Sequence, residues 1–242
     1  MSDQEINAML MERYTALSTP WGRWKVSTYS KLKRFSWRCV IFSAEFVKRF
    51  VDILFSAVAL ILLAPLFLLV AVLIKLEDNG PVFFAQRRVG KWGRVFKMYK
   101  FRSMCADAEL RLGTVLENNR HSAGVTFKIK EDPRVTRVGR WLRKFSVDEF
   151  PQFYNVLIGD MSLVGPRPPL PREVEKYSPA DRRRLEATPG LTCFWQIGGR
   201  AEIDFPEQVQ LDVQYIESQN FWLDLKILVK TVPAVLLGRG AC

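Results

Sequence analysis

Two adjacent carboxylates, Asp148 and Glu149, lie between two phenylalanines and shortly before Pro151. An ionised aspartate is a nucleophile that needs no partner base. When it attacks a phosphate two anions meet, so the site needs cations that offset their repulsion. Arg143 and Arg167 are candidates for this role, and Glu149 is a candidate ligand for Mg²⁺, which accepts one or two carboxylates plus substrate phosphates. The dyad also ends a basic run: Lys128, Lys130, Arg134, Arg137, Arg140, Arg143 and Lys144.

The sequence around the dyad predicts the N-terminus of a helix, in one of two registers. Ser146 and Glu149 have the spacing of a capping box, but Pro151 would then lie inside the helix and weaken it. If the helix starts two residues later, Asp148 becomes the N-cap and Pro151 falls in the first turn. In both registers we expect the helix end to lower the pKa of Asp148 and keep it ionised. Helix capping alone would also explain both carboxylates, without catalysis.

A long apolar segment precedes the dyad, and it contains no charged side chain between Asp52 and Lys75. As a helix, these roughly 22 residues would be about 33 Å long, close to the thickness of a bilayer core. Pro65 lies just past the middle and predicts a kink. Both flanks are basic, and positive charge favours the cytoplasmic side. The segment is therefore either a re-entrant helix that enters and leaves on one face or a kinked helix that spans.

The composition narrows the class of partner. The chain has 242 residues and a formal net charge of +11, which implies an anionic partner such as nucleic acid, phospholipid headgroups or a phosphorylated substrate. Four scattered cysteines without a CxxC pair, and a single histidine, argue against a structural zinc site and against a disulfide framework. We expect a reducing cytosolic environment.

Hydrophobic periodicity and turn residues predict the other elements. We expect two strands joined by a Gly-containing turn within 80–104, followed by a helix over 105–120 and a loop over 121–136. A basic amphipathic segment over 135–144 and a helix ended by Gly159 should come next. The later elements are a helix over 173–186, strand and turn character over 188–201 and a polar helix over 206–219.

Two segments allow alternative interpretations. The last helix has Phe221, Leu225, Leu228, Val229 and Val232 on one face, which packs either on the core or in a membrane interface. Residues 1–45 become basic with interleaved aromatics, which suits a membrane interface. A partly disordered arm is the alternative there.

Six stretches in order carry a more specific signal: KRFVDILFSAVALILLAPLFLLVAVLIK, FFAQRRVG, FKMYKFRSM, DPRVTRVGRWLRKFSVDEFPQFYNVLIGDMSLVGPRP, TPGLTCFWQIGGR and LDVQYIESQNFWLDLKIL. Together they resemble the monotopic polyprenyl-phosphate phosphoglycosyl transferases, the bacterial sugar transferases that start exopolysaccharide and glycan assembly. The resemblance covers about residues 47–238. There are departures from the family pattern: Ala64 precedes Pro65 where serine is usual, Cys193 replaces a common glycine, and Val147 and Phe150 flank the dyad instead of leucines.

The resemblance implies a chemistry for the dyad. In this family the Asp, here Asp148, attacks the phosphate that bears the sugar of a UDP-sugar and releases UMP. Polyprenyl phosphate then attacks the phosphosugar–Asp intermediate, while the Glu, here Glu149, helps to hold Mg²⁺. The family's phosphate- and nucleotide-binding basic residues match Arg143, Arg167, Arg200, Lys100 and Arg102. The resemblance further implies a location on the cytosolic face of the bacterial inner membrane.

The predicted fold class is α+β and mainly helical, with a re-entrant membrane helix, interfacial amphipathic helices and a small β-hairpin. We expect a basic and aromatic arm over 1–45, a re-entrant membrane helix over 46–76, and a cytosol-facing catalytic domain over 77–242 that ends in an interfacial helix. The expected partners are a UDP-sugar, polyprenyl phosphate and membrane lipid, with no nucleic acid. A homo-oligomer is a further possible assembly. The other functions considered are a membrane-anchored module that binds anionic lipid or nucleic acid, and a metal-dependent phosphohydrolase. The sequence does not identify the sugar.

Overall fold

The computed structural model describes residues 3–108, 132–198 and 203–236, which divide into two compact units, residues 1–48 and 49–242. Helix α1 (Asp3–Ser18) and the first part of helix α2 (Pro20–Asp78) form the first unit. Helix α2 begins after Thr19, whose hydroxyl oxygen accepts the N–H of Gly22 at 3.0 Å. Pro20 at the first helical position also suits a helix start.

The remaining elements belong to the second unit and confirm the predicted mainly helical α+β class. The strands are β1 (Phe83–Val89), β2 (Val95–Phe101), β3 (Ser162–Val164) and β4 (Gly190–Thr192). The helices are α3 (Arg137–Lys144), α4 (Gln152–Ile158), α5 (Pro171–Val174), α6 (Phe194–Gly198), α7 (Phe205–Ser218) and α8 (Phe221–Leu236). Short 3-10 turns cover Lys91–Gly93, Val147–Glu149 and Asp181–Glu186.

Strands β1 and β2 form the predicted hairpin, with Phe83 opposite Phe101 and Val89 opposite Val95. Its tight turn needs left-handed backbone at Trp92 and Gly93, and glycine adopts that conformation without a steric penalty. The hairpin therefore fixes the register of β2. Lys100, which faces the dyad, lies on this strand.

The short parallel pair β3 and β4 depends on glycine. A Cβ atom on Gly190 would overlap the backbone of Gly165. The two backbone segments can therefore lie this close together only because neither residue has a side chain. Tyr215 of α7 then joins this pair to α8, because its hydroxyl contacts the carbonyl oxygen of Val164 at 3.0 Å and the carboxylate of Asp224 at 2.8 Å.

Within the described residues, one helical segment is long and apolar enough to cross a membrane, Glu45–Asp78 of α2. The backbone is helical on both sides of Pro65. Residues before and after the proline pack against the rest of the second unit: Ala59, Leu60 and Leu63 border one apolar cluster, and Val70 and Ile74 are buried in another. The rest of this segment is mostly exposed.

Both ends of the apolar segment are hydrogen-bonded to the domain that the remaining residues of the second unit form. At the N-terminal end, the Arg49 guanidinium donates to the carbonyl oxygens of Val156 and Leu157 at 2.6 and 2.7 Å. Asp52 accepts the N–H of Leu163 at 3.0 Å. At the C-terminal end, Glu77 accepts the N–H of Arg137 at 2.7 Å. The domain is therefore attached to the segment at two places about one bilayer thickness apart along the helix axis.

One predicted element was wrong, and a second was correct only for its strand. The helix expected over 173–186 is interrupted, because Pro179 lies in a turn across which Ser178 and Asp181 exchange side-chain-to-backbone hydrogen bonds. The stretch expected to be strand and turn over 188–201 contains the short helix α6 after β4. The predicted helix over 105–120 and loop over 121–136 lie largely outside the described residues.

In α8 one residue of the predicted apolar face, Leu228, packs against a core cluster, but the other four do not. Phe221, Leu225, Val229 and Val232 are exposed, whereas Ile227 is fully buried. The core-packing interpretation of this face is therefore wrong for these four residues. Their exposure suits the alternative of a membrane interface, which stays a prediction.

Candidate active site

The dyad lies in a 3-10 turn of its own, between α3 and α4. Ser146 has left-handed backbone (φ 54°, ψ 21°), and within the described chain its side chain caps no N–H. Helix α4 begins only at Gln152, after Pro151. Both predicted capping registers were therefore wrong. The side chain of Val147 is buried in the apolar cluster that contains Val70 and Ile74. This burial holds residues 147–149 in a turn that is separate from α4.

Asp148 is 7% exposed. Burial raises the pKa of its carboxyl group, with Glu149 acting in the same direction and Lys100 and Arg143 opposing. The expectation that a helix end would lower this pKa was therefore wrong. The removal of water around the carboxylate outweighs the nearby dipoles and cations.

Glu149 has the opposite electrostatic balance. Its carboxylate oxygen lies 2.6 Å from Nζ of Lys100 in β2. Burial raises the pKa of Glu149, but Lys100, Arg167 and Arg88 together outweigh burial, and the pKa lies below its ordinary value. Adjacent residues thus have carboxyl groups whose pKa values are displaced in opposite directions, which is typical of paired carboxylates in active sites.

Asn155 fixes the distance between the dyad segment and Lys100. This fully buried side chain of α4 accepts the N–H of Tyr99 at 3.0 Å and donates to the carbonyl oxygen of Lys97 at 2.7 Å. It therefore bonds one N–H and one carbonyl oxygen on the free edge of β2, on either side of Met98. The residue was missed from the sequence, since its partners lie more than fifty positions away.

Arg143 approaches the dyad from the last turn of α3. Its Nε donates to Oγ of Ser103 at 3.0 Å. Burial lowers the pKa of the Arg143 guanidinium, while Asp148 opposes this effect. Gly139 makes the approach possible, because a Cβ atom there would overlap the backbone of Ser103.

Arg167 comes from the proline-rich loop that follows β3. Its guanidinium carbon lies 5.9 Å from the centre of the Trp195 ring, over the ring face, a distance at which the cation and the ring attract. Trp195 is itself buried. The aromatic ring thus supports a cation whose charge acts on Glu149.

Arg88 in β1 is a second residue that the sequence prediction missed. It is buried and donates to the carbonyl oxygen of Pro168 at 2.9 Å and to Gln86. Burial, and then the neighbouring Arg167, lower its pKa to about 9. The available signal was the period of two along β1, which turns Gln86 and Arg88 inward together. Through its hydrogen bond to Pro168, Arg88 attaches the proline-rich loop, which carries Arg167, to β1.

The structure brings three of the five predicted basic residues to the dyad: Lys100, Arg143 and Arg167. Arg102 instead forms an ion pair with Asp78 at the end of α2. Arg200 lies outside the described residues. The site is thus a buried Asp148 beside a half-buried Glu149, surrounded by cations from β1, β2, α3 and the proline-rich loop.

The donor set limits how a metal ion would bind. Across residues 3–108, 132–198 and 203–236, no group of three or more His, Cys, Asp or Glu side chains is arranged to hold one. The dyad offers two carboxylates, which is enough for Mg²⁺ only when substrate phosphates and water complete its shell. The residues therefore fit a cation that arrives with a phosphorylated substrate.

Comparison with known proteins identifies the class. The model of the bacterial sugar transferase family matches residues 43–238. The chain is 48% identical over 201 residues to galactosyl transferase CpsE of Streptococcus agalactiae, covering 83% of this chain and 44% of CpsE. It is 43% identical over 197 residues to the exopolysaccharide production protein ExoY of Sinorhizobium fredii, covering 80% of this chain and 87% of ExoY. An undecaprenyl-phosphate galactose phosphotransferase of Salmonella typhimurium is 42% identical over 202 residues, which are 82% of this chain and 42% of that protein.

The chain therefore belongs to the bacterial sugar transferase family. This membership confirms the family that the resemblance predicted from the sequence. It spans less than half the length of CpsE and of the Salmonella protein, but most of ExoY.

The pKa of Asp148 predicts how stability depends on pH. Because the folded pKa lies above the unfolded value of 3.8, ionised Asp148 destabilises the fold. This cost is absent below the unfolded pKa and complete above the folded pKa. We expect Asp148→Asn to raise Tm at neutral pH, with a gain that shrinks as the pH falls towards 3.8. Thermal unfolding in detergent across this range measures the effect.

Glu217→Gln is the control for this experiment, because Glu217 lies in an exposed ion pair with Arg183. Its Tm should differ little from that of the unmodified protein at any pH. A neutral-pH Tm for Asp148→Asn at or below that of the control would contradict the inferred cost of burying Asp148.

Proposed function

We propose that the protein transfers a sugar 1-phosphate from a UDP-sugar to polyprenyl phosphate, through a covalent phosphosugar–Asp148 intermediate. The observation that carries the proposal is the buried Asp148 beside the Glu149–Lys100 pair, with Arg143 and Arg167 adding positive charge. Among sugar transferases, such a site suits phosphoryl transfer, in which catalysis consists largely of positioning and charge stabilisation.

In the first step, a carboxylate oxygen of Asp148 attacks the phosphorus that bears the sugar. An Asp–O–P bond forms, and the bond from that phosphorus to the oxygen bridging the two phosphates breaks. UMP leaves with the electron pair. Burial supports this role, because a carboxylate without a full hydration shell has less water to shed before it attacks.

The cations around the dyad offset the charge of the attacking and leaving groups. Arg143 lies close enough to Asp148 to influence its pKa, and Arg167 does the same for Glu149. Guanidinium groups bind phosphate oxygens in pairs of hydrogen bonds. We assign Arg143 and Arg167 to the diphosphate, with Lys100 orienting Glu149. Arg200 and Arg102 stay predicted ligands of the substrate.

In the second step, a phosphate oxygen of polyprenyl phosphate attacks the same phosphorus. The Asp–O–P bond breaks, Asp148 is released as a carboxylate, and a polyprenyl diphosphate sugar forms. The position of the dyad supports a lipid acceptor, because the neighbouring Val147 packs with Val70 and Ile74 of the apolar segment. An acceptor whose chain lies in the bilayer would reach the dyad beside this segment.

Mg²⁺ is the proposed cofactor, with Glu149 as its protein ligand and substrate phosphates as the others. When bound, it would supply positive charge at the phosphates. Lys100 holds one Glu149 oxygen at 2.6 Å, so this contact must be shared or released when the cation enters.

We further propose that α2 re-enters on the cytosolic face of the bacterial inner membrane, leaving the catalytic domain in the cytosol. The contacts of Arg49 and Asp52 at one end, and of Glu77 at the other, support this topology. Both ends hold the same folded domain, which would have to lie on both sides of the bilayer if the segment crossed it. The basic flanks support the cytosolic side.

Re-entry predicts how cysteines on the two flanks are labelled. Ser43→Cys and Lys91→Cys, each introduced into a chain without other reactive cysteines, should both resist a membrane-impermeant thiol reagent added to spheroplasts. Both should react after lysis. Labelling of Ser43→Cys alone before lysis would mean that the segment crosses the bilayer.

The proposed reaction is tested with the purified protein, undecaprenyl phosphate, Mg²⁺ and a panel of UDP-sugars. The panel includes galactose, N-acetylgalactosamine and glucose, which occur in the names of the relatives. We expect one or more donors to give UMP and a lipid-linked sugar phosphate in equal amounts. Asp148→Asn should lower turnover by at least about 10³-fold, because it removes the nucleophile.

Glu217→Gln serves as the matched control and should retain activity. Free sugar phosphate without a lipid product would indicate a phosphohydrolase instead. An Asp148→Asn variant with unchanged turnover would remove Asp148 from the reaction.

A further inference from the structure

The first part of α2, residues 20–48, has an apolar face with an unusual composition. Trp21, Trp24, Leu32 and Phe35 recur at spacings built from three and four residues, which places them on one side of the helix. We call these four residues the aromatic stripe. Residues 20–42 precede the part of the chain that matches the family model, so the reaction common to the family does not account for the stripe.

The aromatic stripe is exposed. Trp21, Trp24, Leu32 and Phe35 keep 63 to 68% of their surfaces accessible. Thr28 separates Trp24 from Leu32 within the stripe, and Tyr29 and Trp37 are exposed beside it. This many exposed large apolar side chains on one helix are typical of an interaction surface. The surface needs a partner that covers indole and phenyl rings along roughly 20 Å of helix.

The charges around the stripe select the partner. Residues 20–48 contain one carboxylate, Glu45, and seven basic side chains: Arg23, Lys25, Lys31, Lys33, Arg34, Arg38 and Lys48. Lys25 lies over the ring of Trp21, 5.2 Å from its centre. A second copy of this helix would bring like charges together, whereas a surface of lipid phosphates would complement them.

The position of the segment along the chain favours the same partner. The uncharged membrane segment begins after Asp52, only a few residues beyond Lys48. The stripe is therefore tethered next to the bilayer surface by its own chain. Trp side chains and basic residues are enriched at membrane interfaces, where rings reach the acyl boundary and cations reach the headgroups.

We propose that residues 20–48 form an amphipathic anchor that lies on an anionic phospholipid surface. The aromatic stripe enters the headgroup and acyl boundary, and the lysines and arginines beside it contact lipid phosphates. This anchor is separate from the catalytic dyad and does not depend on the proposed reaction.

The test uses the full chain in nanodiscs, with roughly 30% phosphatidylglycerol in phosphatidylcholine as the anionic membrane. The environment-sensitive fluorophore NBD is attached to Phe35→Cys or to Lys33→Cys, in a background with Cys39, Cys105 and Cys242 changed to Ser. Phe35 and Lys33 are nearly opposite on the helix and are both exposed. Tyr29 and Trp37, which lie one turn before and after Lys33, are changed to Ser in the same background. We expect blue-shifted emission and protection from iodide at position 35, and continued quenching at position 33.

A second comparison tests whether the lipid surface must be anionic. Protection at position 35 should fall severalfold in phosphatidylcholine alone, and again when Lys25, Lys31 and Arg34 are changed to Gln. The charge-conserving set Lys25→Arg, Lys31→Arg and Arg34→Lys should retain protection.

Three results would overturn the proposal. Equal quenching at both positions would mean that the stripe stays in water. Protection that is the same in both lipid mixtures and insensitive to the Gln changes would mean that anionic lipid is not the partner. Protection found only in nanodiscs with two copies would indicate a second copy of the chain.

Discussion

The apolar cluster that buries Val147 together with Val70 and Ile74 is the feature on which the position of the active site depends. Val147 immediately precedes Asp148, and its burial holds the 3-10 turn of the dyad against the apolar segment. The same cluster includes Phe101 at the end of β2 and Leu142 of α3. One apolar cluster therefore sets the distance between the dyad, the strand of Lys100 and the helix of Arg143. It also keeps the dyad beside the part of the chain that enters the membrane.

Burial of the dyad has an electrostatic cost, which the surrounding cations only partly offset. Lys100, Arg167 and Arg88 stabilise ionised Glu149, but Asp148 keeps a raised pKa. A protein selected for stability alone would replace such a pair, because buried charges rarely add net stability. Retaining a carboxylate in an unfavourable place is the pattern expected where function and stability conflict. The proposed nucleophile is thus also the residue whose neutralisation should stabilise the fold.

Local patterns in the sequence predicted the elements whose structure depends on local interactions. Alternation and glycine predicted the β1–β2 hairpin, the spacing of apolar residues predicted α4, and α7 was predicted as a polar helix. The capping registers at Ser146 and Asp148 were wrong because Val147 is buried in a cluster with distant residues of α2. The pKa direction of Asp148 was wrong for the same reason, since burial is a property of the tertiary structure. Arg88 and Asn155 were missed because their partners, Pro168 and Lys97, lie far away in the chain. The motifs identified the chemistry of the dyad, and only the fold identified what positions it.

The central claim is that Asp148 becomes covalently bound to the sugar phosphate. Intact-protein mass spectrometry after incubation with an accepted UDP-sugar, without polyprenyl phosphate, tests this claim most directly. The account predicts an added mass equal to one sugar phosphate less water. Peptide mapping should assign this mass to Asp148, and it should disappear when polyprenyl phosphate is added. UMP release in the amount of the enzyme with no added mass on the protein, or an adduct on another residue, would contradict it.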